Sequence, residues 1–409
     1  MSEKSIAIIG CLDTKGKEVK FMKDIIEGRG HKTIIIDTSV MGEPFLSADF
    51  TREQVAEAGG TDFATLVREA SRELSNPVMG EGAKNIMLEL VEDGKAHGVL
   101  SVGGTQGTTI AAKAMRAMPI GFPKVLVSTM ASGDTSHFVD ISDITMMFSV
   151  ADIMGLNKVS RLILANAAGA VSGMVETGHE ELTGTSKSIG ITTVGITTKC
   201  AMAAADILEA AGFEPVIFHT VGSGGRAMEA LVRQGMLTGV IDISLIEILH
   251  HNLKIMFDAG ADRLTGAGDM GIPQVVVPGS TAMLVFGEPE TVPEEYRGRV
   301  TIRHSALITD VRANMEEQLD VARDMAGKIN AAKGPVHVFI PRNGFDSYCK
   351  VGGKMHDKEA DEAFIAELTS LLDENIPVTI VDLDIDEYEF AKIITEKFIE
   401  IFNENSKGE

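Results

Sequence analysis

The feature that most constrains the fold of this 409-residue chain is the alternation, from end to end, of short apolar runs with stretches of helical spacing. Runs that are apolar throughout suit strands covered by helices on both faces, as in parallel sheets. The pattern therefore predicts an α/β protein with mainly parallel sheets. The predicted strands are residues 5–9, 32–37, 97–102, 124–128, 188–194, 214–219, 239–243, 273–277, 336–340 and 377–382.

Two segments about half a chain apart repeat one order of elements. Residues 7–42 and residues 190–225 each read as a strand, a turn rich in Gly and Thr, a helix, a glycine stop and a second strand. The glycine stops are Gly30 in the first copy and Gly212 in the second. Generic βαβ similarity would produce the same echo, but the length and order of the match favour a duplicated unit.

The repeat predicts two Rossmann-like lobes with a cleft between them. We expect residues 1–184 to form an N-terminal nucleotide-binding lobe and residues 185–409 to form a C-terminal lobe. At about 100–200 residues per domain, the length of the chain suggests two or three domains. A cleft between lobes is a natural place for a ligand.

The net charge of the chain limits the classes of partner that it is expected to bind. The chain has 59 acidic and 37 basic side chains, for a formal net charge of −22. The acidic excess argues against a nucleic-acid-binding protein, although a local nest of backbone N–H groups can still bind a small anion. The three cysteines are far apart, no apolar run is long enough to cross a membrane, and no leader precedes the first strand. We therefore expect a cytoplasmic protein that does not bind membranes.

A turn rich in glycine and threonine follows the predicted strand at 97–102. Glycines between a strand and a helix permit close approach of a ligand, and the free N–H groups of the helix start favour an anion. The turn lacks the lysine of a Walker A loop and the spacing of GxGxxG, and a capping turn packed with small residues is the alternative. We interpret it as a phosphate loop. The residues expected to bind the phosphate are Gly103, Gly104, Thr105, Gly107 and Thr108.

Three other loops should meet this turn, because parallel strands bring their carboxyl ends to one edge of the sheet. Lys15 would approach the phosphate, Asp13 would bind Mg²⁺ or a ribose hydroxyl, and Asp37 suits a ribose. Separately, each of these side chains has an ordinary explanation as a helix cap or a solvated charge. The candidates from these loops are Asp13, Thr14, Lys15, Asp37, Ser132, Gly133 and Asp134. The spacing alone does not separate ATP from NAD or a sugar phosphate.

The second half of the chain offers candidates for a second ligand. A glycine-rich turn follows the strand at 214–219, and Arg226 beside its N–H groups would clamp a carboxylate or a phosphate. Further on, Glu247 and His251 share one helical face in the spacing ExxHH. A solvated arginine and an ordinary surface pair are the alternatives. The second-ligand candidates are Gly224, Gly225, Arg226, Glu247 and His251. A metal site here would need ligands from elsewhere, so none is predicted.

Several long motifs, in order along nearly the whole chain, resemble one protein family. They include IAIIGCLDTKG, SVGGTQGT, STMASGDTSHFVDISDITMMFSVADIMGLN, FHTVGSGGRAMEALV, GIPQVVVPG, FGEPETVPEEYRGR and MHDKEADEAF. The family is the Tm-one-like ATP-binding domain family, uncharacterised bacterial proteins related to the inhibitory domain of the tomato mosaic virus resistance protein. The resemblance implies two Rossmann-like subdomains, ATP held by the N-terminal one, and homodimers. It supplies no reaction.

The candidate residues and the family resemblance together predict a cytoplasmic ATP-binding protein. We expect it to be an enzyme that acts on a small anionic metabolite in the cleft. In this reading ATP is bound with Mg²⁺, which Asp134 reaches through water. A non-catalytic, nucleotide-responsive binding or regulatory module is the first alternative, since no catalytic triad or nucleophile elbow stands out. An isomerase or lyase that acts on a sugar phosphate or an acid without ATP is the second.

Overall fold

A computed structural model describes residues 4–177 and 187–406 of the protein. The chain divides into two compact units, residues 1–184 and 185–409, and residues 178–186, where we expected the boundary, lie outside the described residues. Within the two described ranges, no helix has the length and apolar character needed to cross a membrane.

The N-terminal unit is built on a five-stranded parallel sheet in the order β2-β1-β3-β4-β5. Its strands are β1 (Ser5–Gly10), β2 (Lys32–Asp37), β3 (Gly98–Gly103), β4 (Lys124–Ser128) and β5 (Thr145–Phe148). Its described helices are α1 (Leu12–Gly28), α2 (Arg52–Ala58), α3 (Phe63–Glu69), α4 (Arg72–Glu92), α5 (Thr105–Arg116), α6 (Ser136–Val139) and α7 (Lys158–Glu176).

Strand β1 explains why this sheet is covered on both faces. Ile6 and Ile8 pack into the apolar cluster that contains the buried side chains of α1 and α7. Ala7 and Ile9 point the other way, into the cluster formed with α4 and α5. Alternate side chains of a strand face opposite sides of the sheet, so a continuous apolar run buries β1 between two helical layers.

The C-terminal unit repeats this plan with six parallel strands in the order β7-β6-β8-β9-β13-β14. Its parallel strands are β6 (Ser188–Thr193), β7 (Glu214–His219), β8 (Gly239–Ser244), β9 (Gln274–Gly279), β13 (Val336–Pro341) and β14 (Val378–Val381). Its described helices are α8 (Thr198–Ala210), α9 (Ser223–Arg233), α10 (Ile246–Leu253), α11 (Gly266–Met270), α12 (Met315–Asn330), α13 (Lys358–Leu371) and α14 (Tyr388–Asn405).

A small antiparallel sheet in the C-terminal unit was not predicted. It consists of β10 (Met283–Phe286), β11 (Thr301–Arg303) and β12 (Thr309–Arg312), in the order β10-β12-β11. Two of its strands lie in residues 278–304, which read as a long loop because Gly, Pro and charged residues separate very short apolar runs.

The α/β architecture and the ten predicted strands are confirmed, each strand to within two residues at either end. The repeat corresponds to β1-α1-β2 and β6-α8-β7. Gly30 and Gly212 both end a helix with positive φ, 89° and 82°, a conformation that glycine adopts at little cost. Both sheets share the strand order 2-1-3-4-5, whose ligand-binding crevice lies at the carboxyl ends of the first and third strands.

Candidate functional site

A cavity of about 340 Å³ lies at the carboxyl edge of the sheet in the N-terminal unit. Its walls come from the first turn of α1, the loop after β2, the start of α4 and the start of α5. The lining residues are Cys11, Asp13, Thr14, Thr38, Ser39, Val40, Met41, Ala70, Ser71, Arg72, Ser75 and Gln106. This is the edge where an open parallel sheet of this strand order binds ligands.

Three helices begin around this cavity. No side chain in the described structure accepts the first-turn N–H groups of α4 and α5, whereas the N–H of Leu12 in α1 is already accepted by Asp37. The residues that precede α1, α4 and α5 are Cys11, Ser71 and Gly104, and none of their side chains caps its helix within the described structure. Thr51 and Asp62, by contrast, cap α2 and α3 with side-chain hydrogen bonds. Uncapped first-turn N–H groups and the positive ends of helix dipoles favour an anion. The cavity is therefore suited to a negatively charged group.

Arg72 is the cation among the residues that line the cavity. It is exposed at the first position of α4, and no acidic side chain in the described ranges forms an ion pair with it. A positive charge at the positive end of a helix dipole is unfavourable unless an anion is bound nearby. Arg72 thus adds a charged donor to the three helix starts.

Gly103 and Gly104 differ in how much space the fold leaves for a side chain at each position. A Cβ at Gly103 would lie 2.8 Å from the Cα of Gly107, so packing alone explains that residue. A Cβ at Gly104 would have only the Thr129 hydroxyl within 4 Å, at 3.8 Å, and Gly104 has an ordinary φ of −79°. Neither packing nor backbone conformation requires a glycine at 104, the N-cap of α5, so the backbone there is open to the approach of a ligand.

The first predicted loop is helical from Leu12 onward. Helix α1 begins directly after Cys11, whose carbonyl oxygen accepts the N–H of Lys15 at 2.8 Å. Asp13 and Thr14 line the cavity as predicted, and the Asp13 carboxylate accepts the N–H of Gly42 at 3.0 Å.

Lys15 and Asp37 do not line this cavity. The Lys15 ammonium group donates to the carbonyl oxygen of Ile153. Asp37 is buried, and its Oδ1 accepts the N–H of Leu12 at 3.2 Å and the hydroxyl of Ser39 at 2.6 Å. Asp37 therefore joins the end of β2 to the first turn of α1, in place of the ribose contact that we expected.

The predicted phosphate loop is also more helical than expected, because α5 begins at Thr105. The hydroxyl of buried Thr108 lies 2.6 Å from that of Ser128 and so ties α5 to the end of β4. Thr105 is exposed and donates to the sulfur of Met130 at 3.3 Å. Gly103, Gly104, Thr105, Gly107 and Thr108 border the start of α5, where Gln106 is the residue that lines the cavity.

Ser132, Gly133 and Asp134 are exposed and are not among the residues that line the cavity. The Asp134 carboxylate accepts the N–H of Ser136 at 2.9 Å. This contact, together with the Ser136 hydroxyl, lowers the pKa of Asp134. Asp134 thus caps a turn, and Asp13 is the better placed carboxylate for a cation beside a bound anion.

Sequence reasoning missed Arg72, Gln106, Val40 and Met41, although it placed the loop that begins at Asp37 at this edge of the sheet. Arg72 carried one available signal, a basic residue in a first helical turn, where acidic residues are favoured. Cys11 also lines the cavity. Burial, opposed by a hydrogen bond with Thr38, raises the pKa of Cys11 to about 11, so its thiol is protonated at neutral pH.

In the C-terminal unit, the N–H groups of the glycine-rich turn are already occupied by a carboxylate of the protein. Glu247 is fully buried, and its Oε1 accepts the N–H groups of Gly222 at 2.7 Å and Gly225 at 3.1 Å. A Cβ at Gly225 would collide with the Glu247 carboxylate and would lie 2.6 Å from Nε of Arg263. Glu247 and Gly225 therefore bind each other and leave no room there for an external anion.

Arg263 is the centre of this buried network. Its guanidinium group is fully buried and donates to both oxygens of Asp242, at 2.6 and 2.7 Å, and to Glu247 at 2.7 Å. Glu229 lies 3.4 Å away and accepts the N–H groups of Leu264 and Gly266. Three carboxylates around one arginine are tolerated in the interior because nearly every oxygen has a donor.

The other second-ligand candidates are also engaged within the unit. Gly224 packs against the backbone of His219, where a Cβ would lie 2.6 Å from the carbonyl carbon. Nε of Arg226 donates to the carbonyl oxygen of Gly222 at 3.3 Å. Nδ1 of His251 lies 2.7 Å from a carboxylate oxygen of Asp258. Among the described residues, no group of three His, Cys, Asp or Glu side chains is arranged to hold a metal ion.

Comparison with known proteins identifies the family. Residues 4–180 match the model of the N-terminal domain, and residues 186–402 the model of the C-terminal domain, of the uncharacterised protein family UPF0261. The chain belongs to this family.

Relatives cover the chain almost completely. A UPF0261 protein of Clostridium tetani is 42% identical over 97% of this chain and 98% of that protein. A UPF0261 protein of Rhizobium meliloti is 35% identical over 98% of this chain and 100% of that protein. The ToMV resistance protein Tm-1(GCR237) of Solanum lycopersicum is 30% identical over 96% of this chain but only 55% of the tomato protein.

Among solved structures, a UDP-N-acetylglucosamine 2-epimerase from Rickettsia bellii aligns with 98% of this chain and 96% of its own, at 11% sequence identity and a TM-score of 0.24. A similarity this low carries no argument about activity.

Proposed function

We propose that this member of the UPF0261 family binds ATP, with Mg²⁺, in the cavity at the carboxyl edge of its N-terminal sheet, and that it is an enzyme acting on a small anionic metabolite. The observation that carries the proposal is the meeting around one cavity, at the switch point of the sheet, of the start of α1, the uncapped starts of α4 and α5, and Arg72, which no described acidic side chain pairs with.

Geometry and resemblance support different parts of this proposal. The helix starts, Arg72 and the open backbone at Gly104 favour a phosphate or another anion. Adenine follows only from the resemblance to the Tm-one-like ATP-binding family. The dimensions agree with a nucleotide whose phosphates lie in the cavity and whose base extends from it, because about 340 Å³ is near the lower limit for ligand pockets.

Asp13 is the residue we propose beside Mg²⁺. Magnesium bound to a nucleotide usually takes one or two protein carboxylates and completes its coordination with phosphate oxygens and water. One oxygen of the Asp13 carboxylate accepts the N–H of Gly42, and the same carboxylate lines the cavity. The lack of a three-ligand metal group among the described residues is compatible with a cation that arrives with the phosphates.

The binding part of the proposal is tested by calorimetry with Mg-ATP on the full chain and on Gly104→Asp. The substitution places a carboxylate at the start of α5, where it would repel phosphate and fill the open position. We expect binding to wild type and a loss of at least tenfold in affinity for the variant. Thr109→Asp, which adds the same charge one turn further along the helix at an exposed position, should have a much smaller effect.

Turnover separates the enzyme from the non-catalytic module. An enzyme would consume ATP faster in the presence of its anionic substrate, whereas a nucleotide-responsive binding module would bind ATP without turnover. Absence of Mg-ATP binding by the wild-type protein, or equal binding by Gly104→Asp, would contradict the site itself. Homodimer formation also remains a prediction, which sedimentation at micromolar concentration tests.

A further inference from the structure

A second cavity, of about 260 Å³, lies in the C-terminal unit at the carboxyl ends of β6 and β7. Seven of its lining side chains are apolar, among them Val194, Phe257, Met283 and Val285. At about 30 Å³ for each water-sized group, the cavity admits about nine such groups. Its size and apolar walls suit a small organic molecule.

The walls of this cavity are held in place by buried His250. Nδ1 of His250 accepts the N–H of Phe257 at 3.0 Å, and the two rings stack with their centroids 5.2 Å apart. Nε2 of His250 lies 3.2 Å from the carbonyl oxygen of Met283. Burial lowers the pKa of His250 to about 4, so the ring is neutral and serves to position Phe257 and β10. The cavity is therefore formed before any ligand arrives.

Asp310 gives the cavity its one buried charge. The side chain is only 3% exposed and lines the cavity from β12. The nearest basic side chain in the described structure is His304, whose Nδ1 lies 3.7 Å from the carboxylate, which is beyond hydrogen-bonding distance. Burial, opposed by His304 and reinforced by Asp346, raises the pKa of Asp310 to about 6, so the carboxylate is still mostly ionised at pH 7.5.

Asp310 differs from the other buried carboxylates of the described structure in that its side chain accepts no hydrogen bond from the protein. Asp242 accepts two hydrogen bonds from Arg263, and Asp361 accepts one from Arg312. In the part of the chain that the structure describes, each buried acidic side chain other than Asp310 accepts at least one hydrogen bond. A buried carboxylate without a donor costs stability, and such costs are typical of functional positions.

We propose that this cavity binds a small organic amine, with its apolar body against Phe257 and Met283 and its ammonium group donating to Asp310. An ammonium group supplies both the missing donor and the missing positive charge. His304, whose Nδ1 lies 3.1 Å from the hydroxyl of Tyr348, stands beside Asp310 as a second polar contact. The site uses residues of the C-terminal unit only and does not depend on nucleotide binding in the N-terminal unit.

The test compares two probes of one shape, benzylamine and neutral benzyl alcohol, on the full chain at pH 7.5. Binding is followed by NMR through the ¹³C-labelled methyl group of Met283, which Met283→Leu assigns. We expect benzylamine to shift this signal and to bind at least tenfold more tightly than benzyl alcohol. Asp310→Asn should weaken benzylamine at least tenfold and leave benzyl alcohol unchanged. Asp320→Asn, which removes an exposed acid on α12, should leave both probes unchanged.

Two results would overturn the proposal. In the first, benzylamine binds wild type no more tightly than the alcohol does, as it would in an apolar cavity without a role for Asp310. In the second, Asp310→Asn binds benzylamine as wild type does. If Asp310→Asn does not fold, Ile308→Phe fills the cavity from a partly buried position, and unchanged benzylamine binding to that variant contradicts the site.

Discussion

The two units share a strand order and differ in what occupies the N–H groups of their glycine-rich turns. In the N-terminal unit, α4 and α5 begin around a cavity without side-chain caps in the described structure, and only the N–H of Leu12 in α1 is taken by a carboxylate, that of Asp37. In the C-terminal unit, the carboxylate of Glu247 fills the glycine-rich turn and Arg263 neutralises it. One topology thus carries a glycine-rich turn that no protein carboxylate fills in one unit and a turn filled by Glu247 in the other.

This difference shows that strand order and glycine content do not by themselves locate a ligand. Gly225 and Gly104 both precede or begin a helix after a parallel strand. A carboxylate of the protein faces Gly225, whereas open space faces Gly104. What distinguishes the two turns is whether an internal acid reaches the N–H groups first.

The largest predicted effect on stability follows from removing Arg263, the arginine that neutralises the carboxylate in the glycine-rich turn of the C-terminal unit. Arg263→Met leaves Asp242, Glu247 and Glu229 buried without their shared cation, and we expect it to lower the free energy of unfolding by about 3–5 kcal/mol. Urea denaturation measures this. Arg323 is a matched control, because it also contacts three acids, Glu316, Asp320 and Glu367, but does so at the surface. An Arg323→Met variant that is as unstable as Arg263→Met would show that burial is not the cause.

Substitutions of Gly103 and Gly104 should distinguish a glycine that is needed for packing from one that is needed for binding. Gly103→Ala forces a Cβ to within 2.8 Å of the Cα of Gly107, and we expect a loss of about 1–3 kcal/mol in the free energy of unfolding. Gly104→Ala meets no close neighbour and should be nearly neutral for stability while weakening Mg-ATP. The comparison fails if Gly104→Ala is the less stable variant in thermal unfolding.

A stability gain of about 2 kcal/mol is expected for Asp310→Asn at pH 8. The pKa of Asp310 in the folded protein, about 6, lies above its ordinary value of 3.8. The folded state therefore binds more protons than the unfolded chain, and the wild type loses stability as pH rises from about 4 to 6. The variant lacks this loss, so the two proteins should be equally stable near pH 4 and differ above pH 6. A gain that is the same at every pH would assign the effect to packing.

The smallest predicted effect concerns Arg72. If phosphates bind in this cavity as we propose, Arg72→Ala removes one charge-assisted contact to them, and we expect about tenfold weaker Mg-ATP binding, or about 1.4 kcal/mol. Arg68→Ala, on the neighbouring helix α3, removes an exposed arginine that already contacts Glu69 and should bind as wild type does. Equal losses for the two variants would indicate a general charge effect.

Much of the fold was accessible from the sequence because buried parallel strands are continuous apolar runs. Strand β1 reads directly as IAIIG, and parallel strands bring their loops to a common edge, which placed Asp13 and Thr14 on the cavity wall. The strands of the antiparallel sheet were missed because runs as short as Thr301–Arg303 carry no periodic signal.

The rest of the two sites depends on tertiary contacts. Arg72 lies at the start of α4, which follows α3 and does not directly follow a strand of the sheet. No strand-to-helix motif in the sequence therefore marks Arg72 as a residue of the cavity. A turn filled by Glu247 and an empty turn have the same glycines in sequence, and only the folded chain shows which one is closed. Asp310 stands in a short run of alternating residues, TDVR, and its lack of a donor is a property of its neighbours.

Hydrogen exchange with and without Mg-ATP tests the central comparison most directly. The first-turn amides that have no acceptor in the described structure, residue 13 of α1, residues 72–74 of α4 and residues 105–107 of α5, should exchange more slowly when the nucleotide is bound, whereas residues 222–226 should be unchanged. Protection at residues 222–226 without protection at the three helix starts would contradict the account, because it would place the anion site in the unit that Glu247 closes.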